Sequence, residues 1–147
     1  MVSLPKFEFF NQKMADTIIQ GQEGQGGLPG FIGAKVTEFG AGFLKAELEV
    51  RAELLTPIGN MHGGVMAGFV DHITGVVLYP MMEPGSWAAT TEFKLNYLAP
   101  VKGGVLEAES EVISLTRNTA VVRALVSNEG RLVCSAQGTL LIRAPKK

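Results

Sequence analysis

The chain has 147 residues, of which 46% are hydrophobic, and a formal net charge of −1. This length and composition predict one domain with a substantial core, and the near-zero charge excludes a basic surface for nucleic acid or for an anionic membrane. We expect no membrane span, because Asp71 and His72 interrupt the apolar run 65–82. A single cysteine and the absence of an apolar run in the first ten residues lead us to expect a cytoplasmic protein.

The N-terminal segment is predicted to form a short helix followed by a flexible loop. Apolar residues recur at roughly helical spacing between residues 5 and 20, which indicates an amphipathic helix. Residues 21–27 include four glycines and are typical of a loop. We therefore assign residues 1–30 to this segment and residues 31–147 to the main domain.

The main domain combines alternating runs with one long apolar segment. Alternation over 32–36 and 43–50 predicts a hairpin, and the continuously apolar segment 64–82 predicts a buried helix ended by Pro80 and Pro84. Four further alternating runs follow, at 87–98, 105–115, 119–127 and 131–142. Their short turns require mostly antiparallel pairing, so the expected class is α+β, with a sheet that curls around the long helix. Apolar surface left uncovered predicts an oligomer.

The segment 60–71 carries the strongest functional signal. His62, Gly63 and Gly64 lie at the predicted start of the apolar helix, and Asp71 follows nine residues after the His. Backbone N–H groups at a helix start can bind an oxyanion, and a carboxylate surrounded by apolar residues needs a reason to be buried there. A thiolate leaves readily, so a carboxylate and an oxyanion site suffice for attack on a thioester without a metal or a triad.

Other roles for the nearby residues are less favoured. The 62/71/72 spacing matches no zinc pattern, so no metal is expected. His72 does not face its neighbour Asp71 on a helix, and Cys134 lies mid-strand with no base close in sequence. Nine residues rotate a helix by about half a turn beyond two full turns, which places His62 and Asp71 on opposite sides. This phase predicts composite sites, each shared by two subunits.

The motif and the element order together resemble the hotdog-fold thioesterases, in particular the PaaI-like acyl-CoA thioesterases. The resemblance covers about residues 30–143. It rests on the His-Gly-Gly motif with its Asp, on the segment TTEFKLNYLAP at 90–100, and on Arg117 in the turn after the next strand. It implies a hotdog fold, in which a curved antiparallel sheet of five to six strands wraps a long central helix. It also implies that two subunits join their sheets and that such pairs often form homotetramers.

The resemblance implies hydrolysis of a medium-chain or aryl acyl-CoA to the free acid and CoA, with no cofactor because CoA is part of the substrate. Asp71 would act as nucleophile or general base, the Gly63 N–H would donate to the thioester oxygen, and His62 would orient the loop or the thioester. Further implied substrate-binding residues are Gly64, Asn60, Thr56, Thr90, Tyr97, Lys102 and Arg117, with Lys102 and Arg117 near the CoA phosphates or pantetheine.

One position departs from the family pattern. Many relatives carry an Asn six residues before the His, where this chain has Thr56. Either the oxyanion hole lacks one side-chain donor or Asn60 substitutes for it.

Two other functions are also compatible with the fold and the motif. A hotdog hydratase also uses a His and a carboxylate, but its motif is Pro-rich after the His, unlike Gly63-Gly64-Val65 here. A non-catalytic acyl-CoA sensor usually carries a DNA-binding extension, and residues 1–30 contain no basic cluster. The presence of Asp71 favours catalysis.

Overall fold

The computed structural model describes residues 1–146. Within them, one six-stranded antiparallel sheet of order β1-β2-β4-β5-β6-β3 packs on a central helix, which confirms the α+β hotdog prediction. The helices are α1 (Gln12–Gln20), α2 (Gly27–Ile32) and α3 (Gly63–Val76), with 3₁₀ turns at Ala52–Leu54 and Tyr79–Met81. The strands are β1 (Ala34–Gly40), β2 (Phe43–Glu49), β3 (Trp87–Tyr97), β4 (Val105–Leu115), β5 (Thr119–Asn128) and β6 (Arg131–Arg143).

The core lies between α3 and the concave face of the sheet. α3 contacts five of the six strands, and its inner face is fully buried at Phe69, Val70 and Ile73. A single helix can reach five strands only if the sheet curls around it. This apolar inner face provides the main hydrophobic stabilisation of the domain.

The central helix is shorter than predicted. α3 ends at Val76, and Pro80 lies in the following 3₁₀ turn rather than at the helix end. The whole segment 63–81 is nonetheless long and apolar enough to cross a bilayer by length and composition, contrary to our expectation from the sequence. Half of the segment is buried inside the domain, as in a core helix.

The N-terminal helix and the first strand also begin later than expected. Asn11 caps α1 by accepting a hydrogen bond from the Met14 N–H at 3.0 Å, so the helix starts at Gln12 rather than near residue 5. Residues 31 and 32, predicted to begin the first strand, instead end α2. The spacing of apolar residues over 5–11 therefore results from packing on the core and not from a helix, because Phe7 and Phe10 lie against the core in a segment that is not helical.

The two edges of the sheet differ. At β1, the Gln22 side chain hydrogen-bonds both the N–H and the carbonyl of Val36, and the Gln25 amide donates to the Ala34 carbonyl at 3.1 Å. Along β3, no residue of the described chain pairs with the outer edge. An unpaired edge of this length is a template for pairing with another strand.

Candidate active site

The first half of the site is the start of α3. His62 is the N-cap, and its Nδ1 accepts a hydrogen bond from the Gly64 N–H at 2.9 Å. A neutral imidazole that accepts at Nδ1 carries its proton on Nε2, which leaves an N–H free to donate. The Gly64 N–H is thereby occupied, whereas the Gly63 N–H has no acceptor in residues 1–146. The end of the helix therefore presents one free backbone donor.

A cleft of about 350 Å³ opens beside this donor. Asn60, Gly63 and Tyr97 line it together with the chain segment 98–101. The Tyr97 hydroxyl donates to the Gly63 carbonyl at 2.9 Å, and a Cβ at Gly63 would lie 3.3 Å from the Tyr97 ring. Tyr97 thus positions the helix start, and glycine at 63 allows this close approach.

Thr56 and Asn60 close the loop that precedes the helix. The Thr56 N–H donates to the Asn60 carbonyl at 2.7 Å, and the Thr56 hydroxyl donates to Asn60 Oδ1 at 3.4 Å. Within the described chain, Asn60 Nδ2 has no acceptor. Thr56 therefore orients Asn60, whose amide N–H₂ is left available at the cleft.

The second half of the site is the Asp71 carboxylate on α3. The prediction that Asp71 is buried among apolar residues is wrong for the single chain, because its side chain lies on the outward face of the helix and is exposed. Thr90 on β3 donates to Asp71 Oδ1 at 2.6 Å, while Oδ2 has no partner in residues 1–146. The neighbouring Thr91 points away from Asp71 and donates to the Thr139 carbonyl at 3.0 Å. The arrangement holds the carboxylate still and leaves one oxygen free to react.

The two halves lie apart in one chain. Asp71 lies eight positions after Gly63, which corresponds to about 12 Å along the helix axis. The carbonyl carbon and oxygen of a thioester are about one bond length apart, so one thioester cannot contact both groups of the same α3. A site shared by two subunits therefore stays a prediction, and it is the arrangement in which both groups could act on one thioester.

The two predicted CoA-binding cations also lie apart. Lys102 precedes β4 and Arg117 follows it, and the eleven residues of β4 span about 33 Å. Lys102 belongs to the end of the sheet that carries Gly63, because the Met61 N–H donates to the Val101 carbonyl at 2.7 Å. The turn that contains Arg117 instead lies beside β6, near the start of β3.

Sequence reasoning missed a second cation beside Lys102. A cavity of about 660 Å³ adjoins the cleft through Pro100, and Lys102 and Arg131 both line it. Asn128 holds this region together by donating to the carbonyls of Gly103 and Val105. In the sequence, Arg131 is recognisable only as a cation next to a predicted hairpin turn. The order of the strands in the folded sheet is what brings it near Lys102.

His72 and Cys134 have the properties of structural residues. Burial lowers the pKa of His72 below its usual value, an effect that outweighs the neighbouring Asp71 charge. Burial also raises the pKa of the Cys134 thiol to about 11, so it is protonated and weakly nucleophilic at neutral pH.

We therefore expect Cys134→Ala to keep kcat/KM for thioester hydrolysis within about twofold of wild type, since no thiolate takes part. The measurement is the rate of thiol release, with and without a thiol-blocking reagent on the wild-type protein. Strong inhibition by the reagent together with an inactive Cys134→Ala variant would show that the thiol is needed.

Comparison with known proteins assigns the fold and the motif to a family. The family model of the Thioesterase superfamily matches residues 58–135, a stretch that contains the His-Gly-Gly motif, Asp71 and β3. The chain belongs to the Thioesterase superfamily. This membership confirms the resemblance drawn from the sequence, and the protein is a thioester hydrolase.

Relatives of this thioesterase include characterised and solved proteins. It is 26% identical to the 1,4-dihydroxy-2-naphthoyl-CoA hydrolase of Listeria monocytogenes over 82% of this chain and 99% of that protein. It superposes on the Escherichia coli PaaI protein with a TM-score of 0.81 at 17% identity, covering 92% of this chain and 98% of that one. A hypothetical thioesterase from Streptococcus pneumoniae, solved with coenzyme A, gives a TM-score of 0.71 at 27% identity, covering 78% and 88%.

Proposed function

We propose that this thioesterase hydrolyses a medium-chain or aryl acyl-CoA to the free acid and CoA. The main support for the proposal is that the two groups required for the reaction both lack a hydrogen-bond partner in the described chain. Within residues 1–146, Asp71 Oδ2 and the Gly63 N–H have no hydrogen-bond partner, while Thr90 bonds to Asp71 Oδ1 and His62 bonds to the Gly64 N–H. The Listeria hydrolase and the coenzyme A complex from Streptococcus support CoA as the thiol part of the substrate.

The chemistry follows from these two groups. Asp71 either takes a proton from an attacking water or attacks the carbonyl carbon itself, forming an anhydride that water then hydrolyses. In both routes the carbonyl oxygen gains negative charge, which the Gly63 N–H and the positive end of α3 stabilise. The C–S bond then breaks, and the CoA thiolate leaves and takes up a proton.

We infer that the complete site forms between two subunits that pair antiparallel through β3. Two-fold pairing of β3 places the Tyr97 end of one strand beside the Trp87 end of its copy. Gly63 and Tyr97 of one subunit then approach Asp71 and Thr90 of the other. The free edge of β3 and the covered edge of β1 both support this arrangement.

The same pairing accounts for the separated cations. Lys102 lies at the Gly63 end of its own chain, and Arg117 lies at the start of β3 in the other. In the dimer these two residues face one composite site, where we propose that they bind the CoA phosphates or pantetheine. Asn60, oriented by Thr56, is proposed to supply the second donor to the oxyanion.

A mixed dimer tests the composite site. One subunit carries Gly63→Pro and the other carries Asp71→Asn, so one of the two sites retains both intact groups and the other has neither. Random one-to-one mixing of two inactive variants is expected to restore about a quarter of wild-type activity, since half the dimers are mixed and half their sites are intact. Co-expression with two different tags, followed by thiol-release assays on an acyl-CoA panel, measures this. Mixed dimers without recovered activity would place each site within one chain.

A further inference from the structure

α2 is held firmly against the sheet although it has only six residues. The Arg51 guanidinium donates to the carbonyls of Phe31 at 2.6 Å and Ile32 at 3.2 Å, and the Gln25 amide bonds to Ala34 just beyond the helix. Ile32 is buried in the core. The position of α2 is thus set by polar contacts on one side and one apolar anchor.

The other side of α2 is apolar and exposed. Leu28 is 56% exposed and Phe31 is 67% exposed, although both belong to a helix that is fixed in place. Leu28 Cδ2 lies only 3.1 Å from where a Cβ of Gly68 would be, so α2 rests directly on the outer face of α3. Gly68 precedes Asp71 by three residues, which places the two on neighbouring positions of that face. Leu28 therefore lies about one helical turn from the Asp71 carboxylate, and Phe31, three residues after Leu28, lies on the same side of α2.

Gly68 explains how α2 can approach α3 so closely. A glycine inside a helix is destabilising relative to alanine, and here its lack of a side chain is what admits Leu28. The close packing keeps an apolar surface at about one helical turn from Asp71. Leu28, Phe31 and Gly68 have no side-chain hydrogen-bond donor or acceptor. A hydroxyl or charged group of a ligand would therefore find no side-chain partner at these three residues.

The size and position of this surface favour an acyl group over a second subunit. Two half-exposed side chains offer roughly 250 Å², well below the roughly 800 Å² per partner of a stable interface. In the proposed dimer, the substrate must bring its thioester carbon to the oxygen of Asp71 that Thr90 does not contact. The chain attached to that carbon then extends over the nearby apolar surface.

We propose that Leu28 and Phe31 form a wall of the acyl-binding site and select unsubstituted apolar acyl groups larger than acetyl. The proposal rests on the proposed function and specifies its substrate class. Within that class, benzoyl-CoA and octanoyl-CoA are better substrates than acetyl-CoA, and dihydroxybenzoyl-CoA is worse than benzoyl-CoA because its hydroxyl groups lose water without gaining partners.

The test is to measure kcat/KM for acetyl-, octanoyl-, benzoyl- and 2,4-dihydroxybenzoyl-CoA in wild type, Leu28→Ala and Phe31→Ala. We expect the octanoyl-to-acetyl and benzoyl-to-acetyl ratios to fall about 10- to 100-fold in each variant. Leu132→Ala is the matched control, since Leu132 is a partly exposed leucine on the outside of the sheet. Gly68→Ala, which forces Leu28 to move by a few tenths of an ångström, is expected to change the same ratios in a variant that keeps both side chains.

The other possible results each contradict either the acyl wall or the proposed function. Unchanged ratios in folded variants, or an equal loss for every ester, would overturn the acyl wall while leaving thioester hydrolysis intact. A change in oligomeric state by light scattering, without a change in the ratios, would make this surface a subunit contact. Absence of thiol release by wild type from every ester would overturn the proposed function and the wall with it.

Discussion

Replacement of Asp71 by Asn is expected to lower kcat/KM for acyl-CoA hydrolysis by at least about 100-fold, while acyl-CoA still binds. Asn keeps the shape of Asp and an oxygen that accepts the Thr90 hydroxyl bond, now 2.6 Å long. It lacks the negative charge that removes a proton from water or attacks the thioester. Because the side chain is exposed, the substitution buries no unpaired group and the fold is expected to persist.

Rates of thiol release and acyl-CoA binding, measured on the same preparation, separate chemistry from binding. Asp16→Asn serves as the matched control, because Asp16 is an exposed carboxylate on α1 that accepts a hydrogen bond from the nearby Gln12 amide at 2.8 Å. Near-normal turnover by Asp71→Asn would rule out this carboxylate as base or nucleophile.

Gly63→Pro is expected to lower kcat about 100- to 1000-fold, since it deletes the N–H at the start of α3 that has no acceptor in residues 1–146. Proline is well suited to the first position of a helix, where the N–H has no intrahelical acceptor. His62 has φ −65° and ψ 132°, the extended conformation that a residue before proline prefers. The substitution therefore removes the oxyanion donor and retains the helix.

The added Cβ in this variant would lie 3.3 Å from the Tyr97 ring, and this contact needs its own control. Gly63→Ala makes the same contact and keeps the N–H, so we expect it to lose no more than about tenfold. Circular dichroism and thermal unfolding of both variants establish that α3 is formed. Equal activity of the Pro and Ala variants would show that the Gly63 N–H does not bind the oxyanion.

Asp71 drew attention in the sequence partly because it was expected to be buried, and the structure corrects that expectation. We expected burial among apolar neighbours, whereas α3 turns those neighbours inward and Asp71 outward. A strongly apolar helix hides which residue faces the solvent, because its few small residues, among them Gly68 and Gly75, form the outer face. The motif spacing points to the same residue without any burial argument, and its catalytic role stays a prediction.

The N-terminal region shows where periodicity misleads. The spacing of Phe7 and Phe10 predicted a helix from about residue 5, but these rings pack on the core from an irregular segment. The short α2 was read as loop and strand, since six residues with two glycines and a proline carry almost no helical signal. Its position depends on Arg51, nineteen or twenty residues away, and local pattern cannot contain that information.

The sequence by itself determined the family, the central helix, the order of the strands along the chain and the presence of the His-Gly-Gly motif with Asp71. These features depend on residue types at short spacings, where neighbouring positions alone decide periodicity and helix capping. Only the tertiary structure decided that Thr90 holds Asp71, that Lys102 lies at the Gly63 end of the sheet while Arg117 lies near the start of β3, and that the outer edge of β3 is unpaired within residues 1–146. Each of these depends on contacts between residues far apart in the chain, which form only when the sheet closes around α3.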